Sequence, residues 1–241
     1  MSNKLPLRCA VCRRPRSPIY GGFCECGSTA WELIPHDVPA GIVVESLEER
    51  GKPLRATHFP ALLSQALGGI VLGRKVLVGG APGAGKSTLC AELASQIANK
   101  LDKLGYWLDA EQNRDLVREL FPRTNSSFYN IRLVSKEKIN SKAGWRDALK
   151  AVPKDAGIIV IDSLQRWARS YAEQTTLLES LATLEPTVLV VSHFNKAGQF
   201  AGPIGNEYDV DATAIVRHKS VEITKCRWSP CPRLVQRPVI S

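Results

Sequence analysis

Between Gly79 and Thr88 the chain reads Gly-Gly-Ala-Pro-Gly-Ala-Gly-Lys-Ser-Thr, a G-x-x-x-x-G-K-[ST] run between an apolar stretch and an amphipathic one. Glycines at this spacing let backbone amides wrap an anion, the lysine reaches the terminal phosphates, and the next hydroxyl meets a divalent cation. The chemistry implied is that of a nucleoside triphosphate with Mg²⁺. Gly80, Gly83, Ala84, Gly85, Lys86, Ser87 and Thr88 form the expected cradle, with Lys86 on the β and γ phosphates and Ser87 on the metal. A phosphate loop of this kind also calls for an acidic residue at the end of a buried strand. The run Gly-Ile-Ile-Val-Ile-Asp supplies Asp162, whose competing reading is a helix-capping aspartate.

Hydrolysis further needs a base that orients water. In Tyr106-Trp-Leu-Asp-Ala-Glu, Glu111 stands just past a strand end, where an open α/β sheet places its ligand. Asp109 is the rival carboxylate and reads better as a strand end or cap. The apolar run Thr187 to Val191 leads into Ser192 and His193. That histidine either touches the γ-phosphate or is an ordinary surface side chain.

Two other constellations bear chemistry. Cys9-x-x-Cys12 and Cys24-x-Cys26 are two close pairs, a donor set suited to tetrahedral Zn²⁺ with every position filled. Free thiols or an iron–sulfur cluster are the alternatives. Arg13, Arg14 and Arg16 lie between the pairs, a basic surface for phosphates, a partner protein or water. Near the C-terminus, Val-Glu-Ile-Thr-Lys-Cys-Arg-Trp alternates as a strand does, which puts Lys225 and Arg227 on one face. Neighbouring cations there require an anion, unless the face is simply solvated.

The elements that must position these residues follow from period and punctuation. The spacing predicts a Cys-, Pro- and Arg-rich metal knuckle over 1–31, a linker with one strand over 32–53, and an α/β domain over 54–241. In that domain apolar strands alternate with helices, the mark of a mainly parallel sheet. The last three strands are expected to be antiparallel and to extend the sheet at its edge. At 241 residues, with 44% hydrophobic and 23% charged content, the chain has the balance of a soluble globular protein. No window approaches a membrane span, and the N-terminus lacks the apolar core of a signal peptide, so a cytoplasmic protein is expected. The net charge of +9 favours a polyanionic partner.

Taken in order, the four-cysteine cluster followed by Trp31, the stretch Ala66 to Leu89, Val-Ile-Asp-Ser-Leu-Gln, Ser-His-Phe-Asn-Lys-Ala-Gly-Gln-Phe-Ala-Gly-Pro and Lys-Cys-Arg-Trp resemble the RecA-like ATPases. Within them the match is to the RadA/Sms branch of bacterial recombination proteins. Leu-Asp-Ala-Glu-Gln is closer to RecA itself, and Trp228 with Ser229 stands where the family carries Phe-Gly. The sequence ends about where the family's Lon-like C-terminal domain, which helps to hold its hexamer, would begin. The resemblance implies a RecA fold acting as a ring or filament on single-stranded or branched DNA, with ATP, Mg²⁺ and Zn²⁺. It implies that Lys225 and Arg227 reach the γ-phosphate of a neighbouring subunit. It places DNA on two loops, Gln165 to Gln174 with Arg166, Trp167 and Arg169, and a second with Lys196 and Phe200. The function implied is a DNA-stimulated ATPase, a motor or helicase in recombination or repair. The alternatives are a replicative-type helicase of a mobile element or virus, and an ATP-dependent switch that docks a partner through its knuckle.

Overall fold

The computed structural model describes residues 7–9, 31–33, 55–111, 114–136, 144–194, 207 and 209–237. The chain divides into two compact units, Met1–Pro53 and Leu54–Ser241. In the first, β1 (Leu7–Cys9) pairs antiparallel with β2 (Trp31–Leu33), Cys9 opposite Trp31 and Leu7 opposite Leu33. Glu32 and Leu33, expected in the linker, are therefore strand residues. Cys12, Cys24 and Cys26 lie outside the described residues.

The second unit is built on an eight-stranded sheet. Its elements in chain order are α1 (Leu62–Leu67), β3 (Lys75–Gly80), α2 (Lys86–Leu101), β4 (Gly105–Asp109), α3 (Arg114–Arg118), β5 (Ile131–Ser135) and α4 (Trp145–Lys150). There follow β6 (Ile158–Asp162), α5 (Leu164–Trp167), α6 (Tyr171–Ala182), β7 (Thr187–His193), β8 (Ala212–Val216), β9 (Ser220–Cys226) and β10 (Arg233–Gln236). The spatial order is β10-β9-β8-β3-β7-β6-β4-β5. All neighbours from β8 to β5 are parallel, while β9 and β10 are antiparallel. One expectation is corrected here. β8 pairs parallel with β3, Val76 opposite Ala212, so only the β8–β9 and β9–β10 pairings are antiparallel, and β9 alone runs against the other strands.

The central strands are continuous apolar runs because both of their faces are covered. On one face Val76, Val78, Trp107 and Val160 meet α2 through Leu89, Cys90, Leu93, Ala94 and Ile97, a helical stripe. On the other, Leu77, Leu108, Ile159 and Ile161 meet Trp145, Leu164, Trp167, Leu177 and Leu181 of the three later helices. Each such side chain taken from water contributes about 1.5–3 kcal/mol. The second core holds another correction. Gln165 to Gln174, expected as a loop, is occupied by α5 and the start of α6. Ser170 caps α6 through a reciprocal pair with Glu173, the Ser-x-x-Glu signal of a helix start.

Candidate functional site

The carboxyl ends of β3, β4, β6 and β7 converge, and the sequence places a functional side chain at each. At β3 the loop turns into α2. Gly80 has φ 151°, and a Cβ there would stand 2.3 Å from Val216 O, so neither its conformation nor its surroundings admit another residue. Lys86 is buried and its ammonium donates to Gly80 O at 3.0 Å and Ala81 O at 2.9 Å. Burial lowers its pKa, against the pull of Asp162 and Glu111. The ammonium is thus held over the loop by neutral carbonyls that phosphate oxygens can replace.

Asp162 ends β6, 1% exposed, hydrogen-bonded to Ser87, with Oδ2 lacking any partner among the described residues. Burial raises its carboxyl to about 6, while Ser87 opposes the shift. A buried carboxylate oxygen without a donor, beside the hydroxyl that follows the loop lysine, fits Mg²⁺.

Glu111 lies beyond β4 at the centre of a network. His193 Nε2 donates to Glu111 Oε1 at 2.8 Å, Ser163 Oγ donates to the same oxygen, and Arg166 Nε lies 3.6 Å away. The His193 bond is the largest cause of a carboxyl lowered to about 2, opposed by burial and assisted by Ser163 and then Arg166. Glu111 is thereby held as an ionised acceptor at neutral pH. Asp109 is buried and accepts from Glu111 N at 3.4 Å, so it shapes the turn that carries Glu111.

Two participants escaped the sequence reading. Ser163 holds Glu111, and Gln165 joins Ser192 to His193: its Nε2 donates to Ser192 Oγ at 2.7 Å, and its Oε1 accepts from His193 N at 3.2 Å. Both lie within three residues of Asp162, and polar side chains just past a buried strand end were the available signal.

The residues expected to meet DNA divide. Arg166 and Arg169 are exposed. Trp167 is not a stacking platform: it is 4% exposed, packed in the second core, and its indole donates to Leu108 O at 3.1 Å. Lys136 lies over its ring and donates to Arg166 O. Lys196 and Phe200 lie outside the described residues.

Lys225 and Arg227 are held by different contacts. Lys225 Nζ donates to Glu207 O at 2.6 Å and Val210 O at 2.7 Å. Arg227, with 58% of its side chain exposed, reaches Asp211 Oδ1 at 3.3 Å. Asp211 also accepts from Lys75 N at 3.0 Å and lies 3.6 Å from Arg74. Within one chain, Asp211 lies 3.3 Å from Arg227, and Asp211, Asp209 and Glu207 each favour the charged form of Lys225.

Residues 54–199 match the family described as AAA domain, a span that carries the phosphate loop, Glu111, Asp162 and His193. The chain belongs to that family. It is also similar to proteins named DNA repair protein RadA. That of Rickettsia conorii is 29% identical over 60% of this chain and 34% of its own length. That of Streptococcus pyogenes serotype M6 is 30% identical over 81% of this chain and 48% of its own. The one from Campylobacter jejuni is 24% identical over 87% and 52%. This chain therefore spans from about a third to about a half of the length of these relatives. A KaiC-like protein from Pyrococcus horikoshii OT3 superimposes with a TM-score of 0.60 at 20% identity, over 77% of this chain and all of its own. The AAA-domain chain and that structure share a fold, and the RadA matches support a relationship to the RadA and RecA-fold ATPases. Among the described residues no helix is long and apolar enough to cross a membrane.

Proposed function

We propose that this chain is a Mg²⁺-dependent ATPase of the RecA/RadA type, stimulated by DNA and acting as a motor or helicase on single-stranded or branched DNA in recombination or repair. The observation that carries the reading is the convergence at one sheet end of Lys86, the Ser87–Asp162 pair and an ionised Glu111 fixed by His193. Ser87 and Asp162 would hold Mg²⁺, which supplies charge neutralisation on the phosphates when bound. The loop amides from Gly80 to Thr88 orient the triphosphate, and Lys86 exchanges its two carbonyls for phosphate oxygens. Glu111 accepts a hydrogen bond from the attacking water and aligns it. His193 is hydrogen-bonded to that carboxylate and directly precedes the segment 194–206, so a change at the γ-phosphate has a short route to the segment carrying Lys196 and Phe200.

Arg227 would supply the cation from a neighbouring subunit, its guanidinium leaving Asp211 for the γ-phosphate; Lys225 would join it by releasing the carbonyls of Glu207 and Val210. Such sharing requires a homo-oligomer, a ring in this reading and a hexamer by family resemblance. Arg166 and Arg169, with Lys196 and Phe200, would contact DNA. Cys9, Cys12, Cys24 and Cys26 would hold Zn²⁺ as a closed tetrathiolate, with the intervening arginines offered to DNA or a protein partner. The test is the steady-state ATPase rate with and without single-stranded DNA across a range of protein concentrations. Stimulation above a threshold concentration is expected. A slow rate indifferent to both variables would replace the motor with a switch that docks its partner through the cysteine segment.

A further inference from the structure

The phosphate loop is contacted by a residue far from it in sequence. Arg237 directly follows β10, and its amide donates to Lys219 O at 2.8 Å, continuing the pairing with β9 into the β8–β9 turn. From there its half-buried side chain reaches the loop. Arg237 NH1 donates to Ala84 O at 2.7 Å and lies 3.4 Å from Arg217 O. NH2 lies against Gly85: a Cβ there would stand 2.9 Å from it, and Gly85 itself holds φ 88°. Among the described residues no carboxylate pairs with this guanidinium. A cation is thus set against the N-terminus of α2, itself positive, within a loop that already holds Lys86. That arrangement is unfavourable for the empty chain and favourable once an anion enters.

We infer that Arg237 is a positioning residue for the nucleotide phosphates, acting through the Ala84–Gly85 peptide. A trans peptide is planar, so its C=O and N–H point to opposite sides. Fixing Ala84 O toward Arg237 therefore fixes the Gly85 N–H toward the other side. That amide is one of those with which a loop of this sequence cradles phosphate. A charged donor on the carbonyl also polarises the peptide and strengthens its N–H as a donor. The ligand class is a nucleoside di- or triphosphate, since both present a phosphate to this amide, and the contact is within one chain. It is thereby separate from Arg227, which is offered to a neighbour. The inference rests on the nucleotide reading above and adds a residue to it.

The Gly85 amide meets the ligand in the ground state and in the transition state alike, so its loss raises KM and spares kcat. Titration of the full chain with MgADP, together with ATPase kinetics, is the test. For Arg237→Ala the MgADP Kd and the KM for ATP are expected to rise together by about tenfold, with kcat within about twofold of the parent. Arg237→Lys should recover most of the affinity. Arg233→Ala, on the same strand but beside Gly68, should change neither value. Should Arg237→Ala not fold, Arg237→Lys is compared with Arg237→Gln, which fills similar space without the charge; tighter MgADP binding by the lysine variant is expected. Equal affinity in that pair, or an unchanged Kd in a folded Arg237→Ala, overturns the positioning role and leaves the ATPase reading intact. A parent chain that binds no MgADP overturns both.

Discussion

The two sides of β3 treat charge in opposite ways. Toward β7, β6 and β4 lie the carboxylates, and they are knitted together: Glu111 by His193, Ser163 and Arg166, and Asp162 by Ser87. Toward β8, β9 and β10 lie the cations, which rest largely on neutral backbone: Lys225 on Glu207 and Val210, and Arg237 on Ala84 and Arg217. Arg227 meets Asp211 at 3.3 Å with most of its side chain in solvent, and Arg217 meets Glu222 at 2.9 Å. The difference teaches where this chain is complete by itself. On the proposed reading, the half that would orient water is assembled in one molecule, whereas the cationic half holds charges on carbonyls that a phosphate can outbid.

The largest expected effect would break or sharpen that contrast directly. If Arg227 acts on a neighbour, Arg227→Ala lowers kcat by about 10³–10⁵-fold, the range for an arginine finger. Mixing it with Glu111→Gln subunits should restore turnover at sites that pair an intact Glu111 with a neighbour's intact Arg227. Mixtures that stay dead at every ratio would show that both halves work within one chain. Glu111→Gln alone should cost about 10²–10⁴-fold in kcat, the usual scale for a positioned base. MgATP binding should survive, because Lys86, Ser87 and Asp162 are untouched. Equal loss of binding and turnover would demote Glu111 to a structural role.

Trp167→Ala should destabilise the fold by about 3–5 kcal/mol, the usual cost of deleting a buried tryptophan, as read by urea denaturation. DNA affinity of the folded fraction should not fall. A stable variant with weakened DNA binding would return Trp167 to the interface. This residue also marks where the sequence was hard to read. The phosphate loop, both acidic strand ends and α2 were legible, because glycine spacing and long apolar periods are local signals. Trp167 was not, because Gln-Arg-Trp-Ala-Arg-Ser interleaves cations and an aromatic as a nucleic-acid loop does, and its burial depends on α6 closing over it. The Ser170–Glu173 capping pair could have revealed that helix. The direction of β8 was illegible for another reason: its partner β3 lies more than a hundred residues earlier, so no local pattern encodes the pairing.

The smallest expected effect lies inside the knitted half. His193 is the main reason that the Glu111 carboxyl is lowered to about 2. A depressed carboxyl stabilises the folded state above its unfolded pKa of about 4.3, and that contribution is lost as pH falls toward the folded value. His193→Gln removes the main support, so Glu111 should titrate nearer its ordinary range. The variant should then be less stable than the parent by about 1 kcal/mol at neutral pH, the scale of one hydrogen bond. Denaturant midpoints should converge as pH falls from about 4.5 toward 2, where the parent's Glu111 is also protonated. A gap that persists undiminished through that window would assign the cost to packing around the histidine. Glu111 would then owe its low pKa to Ser163 and Arg166, and the proposed link between that carboxylate and the segment after β7 would be lost.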